Sequence, residues 1–316
     1  MYFLLPVLTD FENPVLKKKL VVITGPTAVG KTDLSIETAK YFSTEIISSD
    51  SRQFYKELNI GTAKPASHQL TEVKHHFINS LSVIQDYNAG QFETDCKNLL
   101  EKLFEKYNIL IMVGGAGLYI NAVLNGVDDL PKADEKIRKS LKEKSGNEGI
   151  EFLQKQLQQL DPEYYQKVDK QNPQRLMRAI EVCIASGKKY SSFLGKKKPN
   201  RNFDAVMIGL QDDKEKLYER INSRVDQMIE NGLADEVKNL LAYKNYNALQ
   251  TVGYKELIQY FEEKISLEEA IGLIKKNTRN YAKRQMTWFN KMKEIVWFKT
   301  GTNEEAIRYL TLKCEE

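Results

Sequence analysis

Along the first part of the chain, short runs of apolar residues alternate with longer segments whose apolar positions recur every three or four residues. Leu20 to Thr24 is a β-branched apolar run ending at Gly25, the pattern of a buried strand. A helix is expected from Lys31, with Leu34, Ile36 and Ala39 turned inward. Glu45 to Ser49 reads as a second strand, closing on Asp50. From Asn88 to Tyr107, the residues Phe92, Cys96, Leu99, Leu100, Leu103 and Phe104 fall at helical spacing behind an Asn88 N-cap. Asn108 to Val113 is a third strand, stopped by Gly114 and Gly115. Such alternation predicts a parallel sheet covered by helices.

After Gly126 the pattern changes. Lys132 to Lys189 is charged and helical, with turns around Gly146 to Gly149 and at Asp161–Pro162. Asn172 and Pro173 have the character of an N-cap and first helical residue. Strand-like runs return at Phe203 to Leu210 and at Ile295 to Phe298, and Leu217 to Asn231 is an amphipathic helix with Leu217, Ile221 and Val225 as its buried stripe. The expected organisation is an N-terminal arm (1–19), a discontinuous core (20–128 and 202–316) and a helical insertion (129–201).

Composition narrows the class. A chain of 316 residues with 41% apolar residues can build a sizeable core, which excludes wholesale disorder. The only apolar start, Tyr2 to Leu8, is broken by Pro6 and is far shorter than the roughly 20 residues of a membrane span. Three widely spaced cysteines argue against both a disulfide framework and a CxxC metal site, so a reduced, cytoplasmic enzyme is expected. The net charge of +4 decides little by itself. Its distribution says more: ten Lys/Arg against two acids from Lys167 to Arg201, and eight against one from Lys275 to Lys299, suggest a polyanionic partner.

Gly25-Pro26-Thr27-Ala28-Val29-Gly30-Lys31-Thr32 fits G-x-x-x-x-G-K-[ST] and lies between a predicted strand and a predicted helix, where this phosphate-binding loop belongs. Its backbone N–H groups and Lys31 suit a di- or triphosphate, and the Thr32 hydroxyl suits a phosphate-bridging Mg²⁺. The strand ending at Val113 carries no carboxylate, which weakens ATP hydrolysis or a small-molecule kinase. The acid at a strand end is Asp50, in Ser48-Ser49-Asp50-Ser51-Arg52-Gln53. In a parallel sheet that end lines the ligand crevice, so Asp50 can bind metal, accept a proton or simply form a turn. The fold class is therefore α/β, a P-loop-type parallel sheet core with helices on both faces and a helical insertion domain.

These residues, with Ile60-Gly-Thr-Ala-Lys-Pro65, His75-His76, Tyr87-Asn-Ala-Gly-Gln-Phe92, Val113-Gly-Gly115 with Leu118-Tyr119, Pro173-Gln-Arg-Leu-Met-Arg178, Val252-Gly-Tyr254 and Thr278-Arg-Asn-Tyr-Ala-Lys-Arg-Gln-Met-Thr-Trp288, occur in an order that resembles the tRNA dimethylallyltransferase family over roughly residues 20–300. One position departs: where the family usually reads Gly-Gly-Thr-Gly, this chain has Ala116 as the third residue, so the contact to RNA expected of that hydroxyl is not carried over.

The resemblance implies transfer of a dimethylallyl group from its diphosphate to N6 of the adenine 3′ of the anticodon, with Mg²⁺ and release of pyrophosphate. The partners it implies are dimethylallyl diphosphate and the tRNA anticodon stem-loop; a monomer with no membrane partner is expected. The catalytic set is Asp50 as general base, with Thr27 and Arg224 serving the leaving diphosphate. The RNA-facing set is Asp50, Ser51, Arg52, Gln53, Arg138, Gln174, Arg175, Leu176, Met177, Arg178, Lys283, Arg284 and Gln285. Trp288, Phe289, Tyr243, Tyr246 and Tyr254 are expected in packing, and His75 and His76 in structural or substrate-loop roles, since adjacent side chains do not easily face one ion. A prenyltransferase acting on free AMP shares the loop and base but needs no long basic surface.

Overall fold

The computed structural model describes residues 17–132, 134–195 and 200–316. The chain divides into two compact units, one joining the chain up to Leu124 to Arg201–Glu316, the other being Asn125–Asn200. The first contains β1 (Lys19–Thr24), α1 (Lys31–Tyr41), β2 (Ile46–Ser48), α2 (Ser67–Glu72), β3 (His75–His76), α3 (Ala89–Leu103), β4 (Ile109–Val113) and α4 (Gly117–Asn125, its last residue at the boundary). The second contains α5 (Glu135–Glu148), α6 (Ile150–Leu160), α7 (Pro162–Lys167) and α8 (Pro173–Ser186). The chain then returns with β5 (Asp204–Gln211), α9 (Lys214–Glu230), α10 (Leu233–Asn239), α11 (Tyr254–Phe261), α12 (Leu267–Phe289), β6 (Val296–Lys299) and α13 (Asn303–Glu315).

Six strands form one sheet in the order β3-β2-β4-β1-β5-β6, every pair parallel. All six residues of β1 are buried, as expected for a central strand covered on both faces. Alternation sends Val21 and Ile23 into a cluster with Leu34, Ile221 and Leu310, and Leu20 and Val22 into one with Phe92, Cys96 and Phe289. Helices therefore cover both faces of the sheet, and the carboxyl ends of β1, β2 and β4 open on one edge, where ligands of such sheets bind.

Local physics explains the elements. The Asn88 side chain accepts from the N–H groups of Gly90 and Gln91, and the α3 stripe of Phe92, Cys96, Leu100 and Leu103 is buried. Asn172 caps α8 with Pro173 at its first position. In the second unit α5, α6 and α8 close over Leu141, Leu153, Leu157, Leu176 and Ile180.

Three findings differ from the sequence reading. Lys19, placed in the arm, begins β1 and pairs with Asp204 at 3.3 Å; residues 1–16 of that arm lie outside the described residues. β3, at only two residues, is too short to carry a hydrophobic period. The helix read to start near Leu217 begins at Lys214. Among the described residues no helix is long and apolar enough to cross a membrane.

Candidate active site

The loop after β1 is shaped by backbone geometry. Gly25 has φ +138°, and a Cβ there would run into the Leu210 carbonyl at the end of β5. Ala28 and Gly30 also have positive φ, 64° and 97°. Gly30 precedes α1 and offers no side-chain cap, so no capping hydroxyl occupies the first-turn N–H groups of that helix, the arrangement that suits an anion.

Side chains from four places hold the loop. Lys31 Nζ donates to the Pro26 carbonyl at 2.7 Å, and Thr300 Oγ1 donates to that of Val29 at 3.1 Å. Arg220 Nε, from α9, donates to the Ala28 carbonyl at 3.1 Å, and its guanidinium pairs with Asp212 at 2.6 Å. Gln285, from α12, accepts the Thr27 N–H at 2.9 Å. With the Pro26, Ala28 and Val29 carbonyls engaged in this way, the loop is set to meet an anion with N–H groups.

A cavity of about 280 Å³ lies against this loop, and its wall includes Thr27 to Thr32, Ser48, Asp50, Lys64 and Arg224. Burial lowers the Lys31 amine to about 8; Asp50 opposes that shift and Arg224 adds to it. Burial also lowers Arg224, Asp33 opposing and Arg220 assisting. Two neighbouring cations, opposed by different acids, Asp50 at Lys31 and Asp33 at Arg224, are a site that a diphosphate would relieve.

A second cavity, of about 220 Å³, shares Thr27, Asp50, Thr62, Ala63 and Arg224 with the first. Beyond that shared edge its wall includes the apolar residues Ile221, Val225, Met228 and Ile274, together with Tyr281, Thr278 and Arg52. Asp50 follows β2 and lines both spaces. Its Oδ1 accepts the Arg52 N–H at 2.9 Å, a turn typical of aspartate, and among the described residues no hydrogen bond engages Oδ2.

The residues expected from sequence separate into groups. Thr27 to Thr32, Asp50 and Arg224 come together around the first cavity, and Ser51 lines the second. Gly25 and Pro26 shape the loop behind them. Arg52 lines the second cavity, and its Nη1 also donates to the Asn247 and Ala248 carbonyls at 2.8 and 3.4 Å, which ties the loop to the chain before α11. Gln53 lines the first cavity, its Nε2 shared between the Thr62 and Ala63 carbonyls at 3.2 Å each. Gln285 is a correction, 5% exposed with both ends of its amide bonded within the protein, and so it does not face RNA.

In the second unit Leu176 is a core residue, fully buried, and Met177 packs against the same core. Gln174 and Arg175 are exposed. Arg178 donates to the Pro131 carbonyl at 2.8 Å and lies 3.4 Å from the buried Glu181, toward which Arg138 also turns at 4.0 Å. Lys283 and Arg284 are exposed on α12.

His75 and His76 point to different partners, as neighbours on a strand do. His76 Nε2 meets the Glu45 carboxylate, while His75 bonds the Val73 carbonyl at 2.8 Å and lines the first cavity. Tyr254 and Phe289 are buried in packing; Tyr243 and Tyr246 are partly exposed with ring centres 6.0 Å apart. Ala116 immediately precedes α4, where its carbonyl accepts the Ile120 N–H at 3.1 Å.

Thr278 and Tyr281 stand in the Thr278–Trp288 motif but take no site role from the sequence; both line the second cavity. Their signal was there: Ile274, Thr278, Tyr281 and Gln285 recur at helical spacing on α12 and reach the site together. The contacts of Arg220, and of Lys64 from the Ile60–Pro65 motif, emerge only in the fold, Lys64 donating to the Tyr55 carbonyl at 2.6 Å from the 58–64 turn.

The chain matches the family described as IPP transferase over residues 53–292. A protein of Christiangramia forsetii named tRNA dimethylallyltransferase is 54% identical over 288 residues, 91% of this chain and 95% of that one. One of the same name from Flavobacterium johnsoniae is 49% identical over 300 residues, 93% of this chain and 97% of that one. Among solved structures, the tRNA isopentenylpyrophosphate transferase of Bacillus halodurans superposes with a TM-score of 0.71 at 36% identity, covering 95% of this chain and 97% of its own. A eukaryotic dimethylallyltransferase described as acting on tRNA superposes with a TM-score of 0.75 at 30% identity, covering 90% of this chain and 75% of its own. With the loop, Asp50 and Arg224 gathered at one edge of the sheet and these likenesses running through nearly the whole sequence, the chain belongs to the tRNA dimethylallyltransferase, or IPP transferase, family.

Proposed function

We propose that this chain transfers a dimethylallyl group from dimethylallyl diphosphate to N6 of the adenine 3′ of a tRNA anticodon, releasing pyrophosphate. The position of Asp50 carries the reading: it stands where the phosphate cavity opens onto a pocket with an apolar wall, with Thr27 and Arg224 beside it. The diphosphate lies against the first-turn amides of α1, Lys31 and Arg224, and the allylic carbon points toward Asp50. The base drawn from the anticodon loop enters the second space, where its amine can meet an allyl group lying against Ile221, Val225, Met228 and Ile274. Single-stranded loops are where bases are most readily extruded.

The adenine amine is a weak nucleophile because its lone pair is delocalised into the ring. As that pair forms the bond to the allylic carbon, the carbon–oxygen bond breaks and its electrons pass to the diphosphate, where Lys31, Arg224, the loop amides and the Thr27 hydroxyl receive the charge. Free aspartate, with a pKa of about 3.9, cannot deprotonate a neutral amine in advance. Proton transfer to Asp50 therefore accompanies bond formation, as the nitrogen becomes cationic.

The donor set suits Mg²⁺. Thr32 and Asp50 line the phosphate cavity, and among the described residues no cluster of three or more His, Cys, Asp or Glu could hold a metal on its own. Mg²⁺ keeps several waters and takes other ligands from phosphates, so the Thr32 hydroxyl together with diphosphate oxygens would be enough to hold it. Bound there it would neutralise diphosphate charge.

The test offers labelled dimethylallyl diphosphate and Mg²⁺ with either tRNA or AMP. Label in tRNA is expected; label in AMP alone, or in neither, overturns the proposal. The basic segments predict a second result, that tRNA affinity falls steeply and log-linearly with salt. A flat response in filter binding removes their role in gripping RNA.

Lys31 gives a pH prediction. Its amine is held at about 8 in the unliganded site, and a diphosphate stabilises its charged form. Binding is therefore strongest below pH 8 and weakens above it, by up to about tenfold per unit, as the free amine loses its proton. Calorimetric titration of dimethylallyl diphosphate without RNA, from pH 6.5 to 9.5, reads this directly. An affinity constant across that range would remove the Lys31 charge from donor binding.

A further inference from the structure

Gln285 sits two residues beyond Lys283 on α12, yet its side chain turns into the protein and is 5% exposed. Its Oε1 accepts the Thr27 N–H at 2.9 Å and its Nε2 donates to the Gly115 carbonyl at 3.0 Å. One amide thus joins three pieces of chain far apart in sequence: the phosphate loop, the turn between β4 and α4, and α12 itself. Gly115 is shaped to admit it, since a Cβ at that position would run into Gln285 Nε2. The turn on the far side of the joint is also close-packed, because a Cβ on Gly114 would strike the Ser49 hydroxyl and backbone, one residue before Asp50.

These contacts have a consequence for Thr27. Its N–H is turned away from the ligand, toward α12, while the residue lines both cavities. A loop residue whose amide is held from behind has the direction of its Cα–Cβ bond set, which limits the hydroxyl to the rotamers around that bond. We propose that Gln285 is a positioning residue: it sets Thr27 and the β4–α4 turn for the diphosphate, and through it the arrangement of α12, whose exposed Lys283 and Arg284 face outward, is carried into the phosphate loop. The second half of this statement rests on the reading of α12 as an RNA-facing helix; the first half stands on the loop alone.

The amide accepts from one partner and donates to the other, a pairing that neither a carboxylate nor an alkyl group can make. Gln285→Glu keeps an acceptor for Thr27 but turns a carboxylate toward the Gly115 carbonyl, and Gln285→Leu removes both bonds. Both variants are expected to weaken dimethylallyl diphosphate binding at least about tenfold and to lower kcat by up to about 10²-fold, the scale of loss from misplacing a reacting group. Affinity for an anticodon stem-loop alone should stay within about twofold. Gly115→Ala, which displaces the amide without touching Gln285, should reproduce the donor defect and serves where the Gln285 variants fold poorly.

In the unaltered protein, saturating stem-loop is expected to tighten donor binding, and Gln285→Leu is expected to abolish that gain. The opposite pattern, weaker RNA binding with unchanged donor affinity, would make Gln285 an RNA contact and overturn the proposal, as would a donor affinity unchanged in all three variants. No gain in donor binding with stem-loop in the unaltered protein would overturn the link to α12. Donor binding is read without turnover, so a protein that binds dimethylallyl diphosphate but modifies no tRNA would defeat the functional reading and leave the loop measurement standing.

Discussion

Asp50→Ala lowers transfer to tRNA by at least about 10²-fold and leaves tRNA binding within a few-fold. The expectation follows from the use of its two oxygens. Oδ1 accepts the Arg52 N–H and shapes the turn after β2, while Oδ2 has no hydrogen bond among the described residues and belongs to a side chain that lines both cavities. Asp50→Asn separates the two duties, since an amide oxygen can still accept from Arg52 but the group can no longer take a proton. The base reading requires Asn to be about as inactive as Ala in single-turnover transfer, with donor and tRNA affinities measured separately. If Asn restores turnover, Asp50 forms a turn and does nothing in the chemistry. If both variants lose donor binding in proportion to turnover, the loss lies in the shape of the loop.

The strands and the phosphate loop were legible because each carries its own local signature. β1 is continuously apolar, and the glycines of the loop are placed where the chain turns. Asp50 was found by combining a strand end with the rule that such ends line the crevice. The errors came from treating neighbours in sequence as neighbours in function. Lys283, Arg284 and Gln285 are consecutive, but on a helix each points about 100° from the last, so two face solvent and one is buried. Likewise Leu176 and Arg175 adjoin, and only the second is exposed. Arg52 and Gln53 look like free polar residues in the sequence; the carbonyls that engage them come from residues 247–248 and 62–63, and no local pattern announces those meetings. Short β3 is in the same position, a strand only because β2 is there to pair with it.

Arg224→Gln is expected to cost about 10²- to 10³-fold in kcat/KM for the donor, the scale of losing one preorganised donor to a developing anion. Arg224 lies on α9 one turn beyond Arg220 and takes part in the wall of both the phosphate cavity and the pocket beside it. Arg220 is held by Asp212 and the Ala28 carbonyl, which leaves Arg224 as the cation on that helix facing the reacting centre. The diphosphate is already charged when it binds, so part of the loss appears as a raised donor KM. The bridging oxygen gains its charge only as the carbon–oxygen bond breaks, so another part must remain in kcat at saturating donor. Arg224→Lys keeps the charge but loses the fork of donors, and should recover some of the binding and less of the rate. Equal recovery of both by lysine would mean that Arg224 supplies field alone. A glutamine variant with unchanged kcat at saturation would confine Arg224 to holding the donor and leave the leaving-group charge to Lys31 and the loop amides.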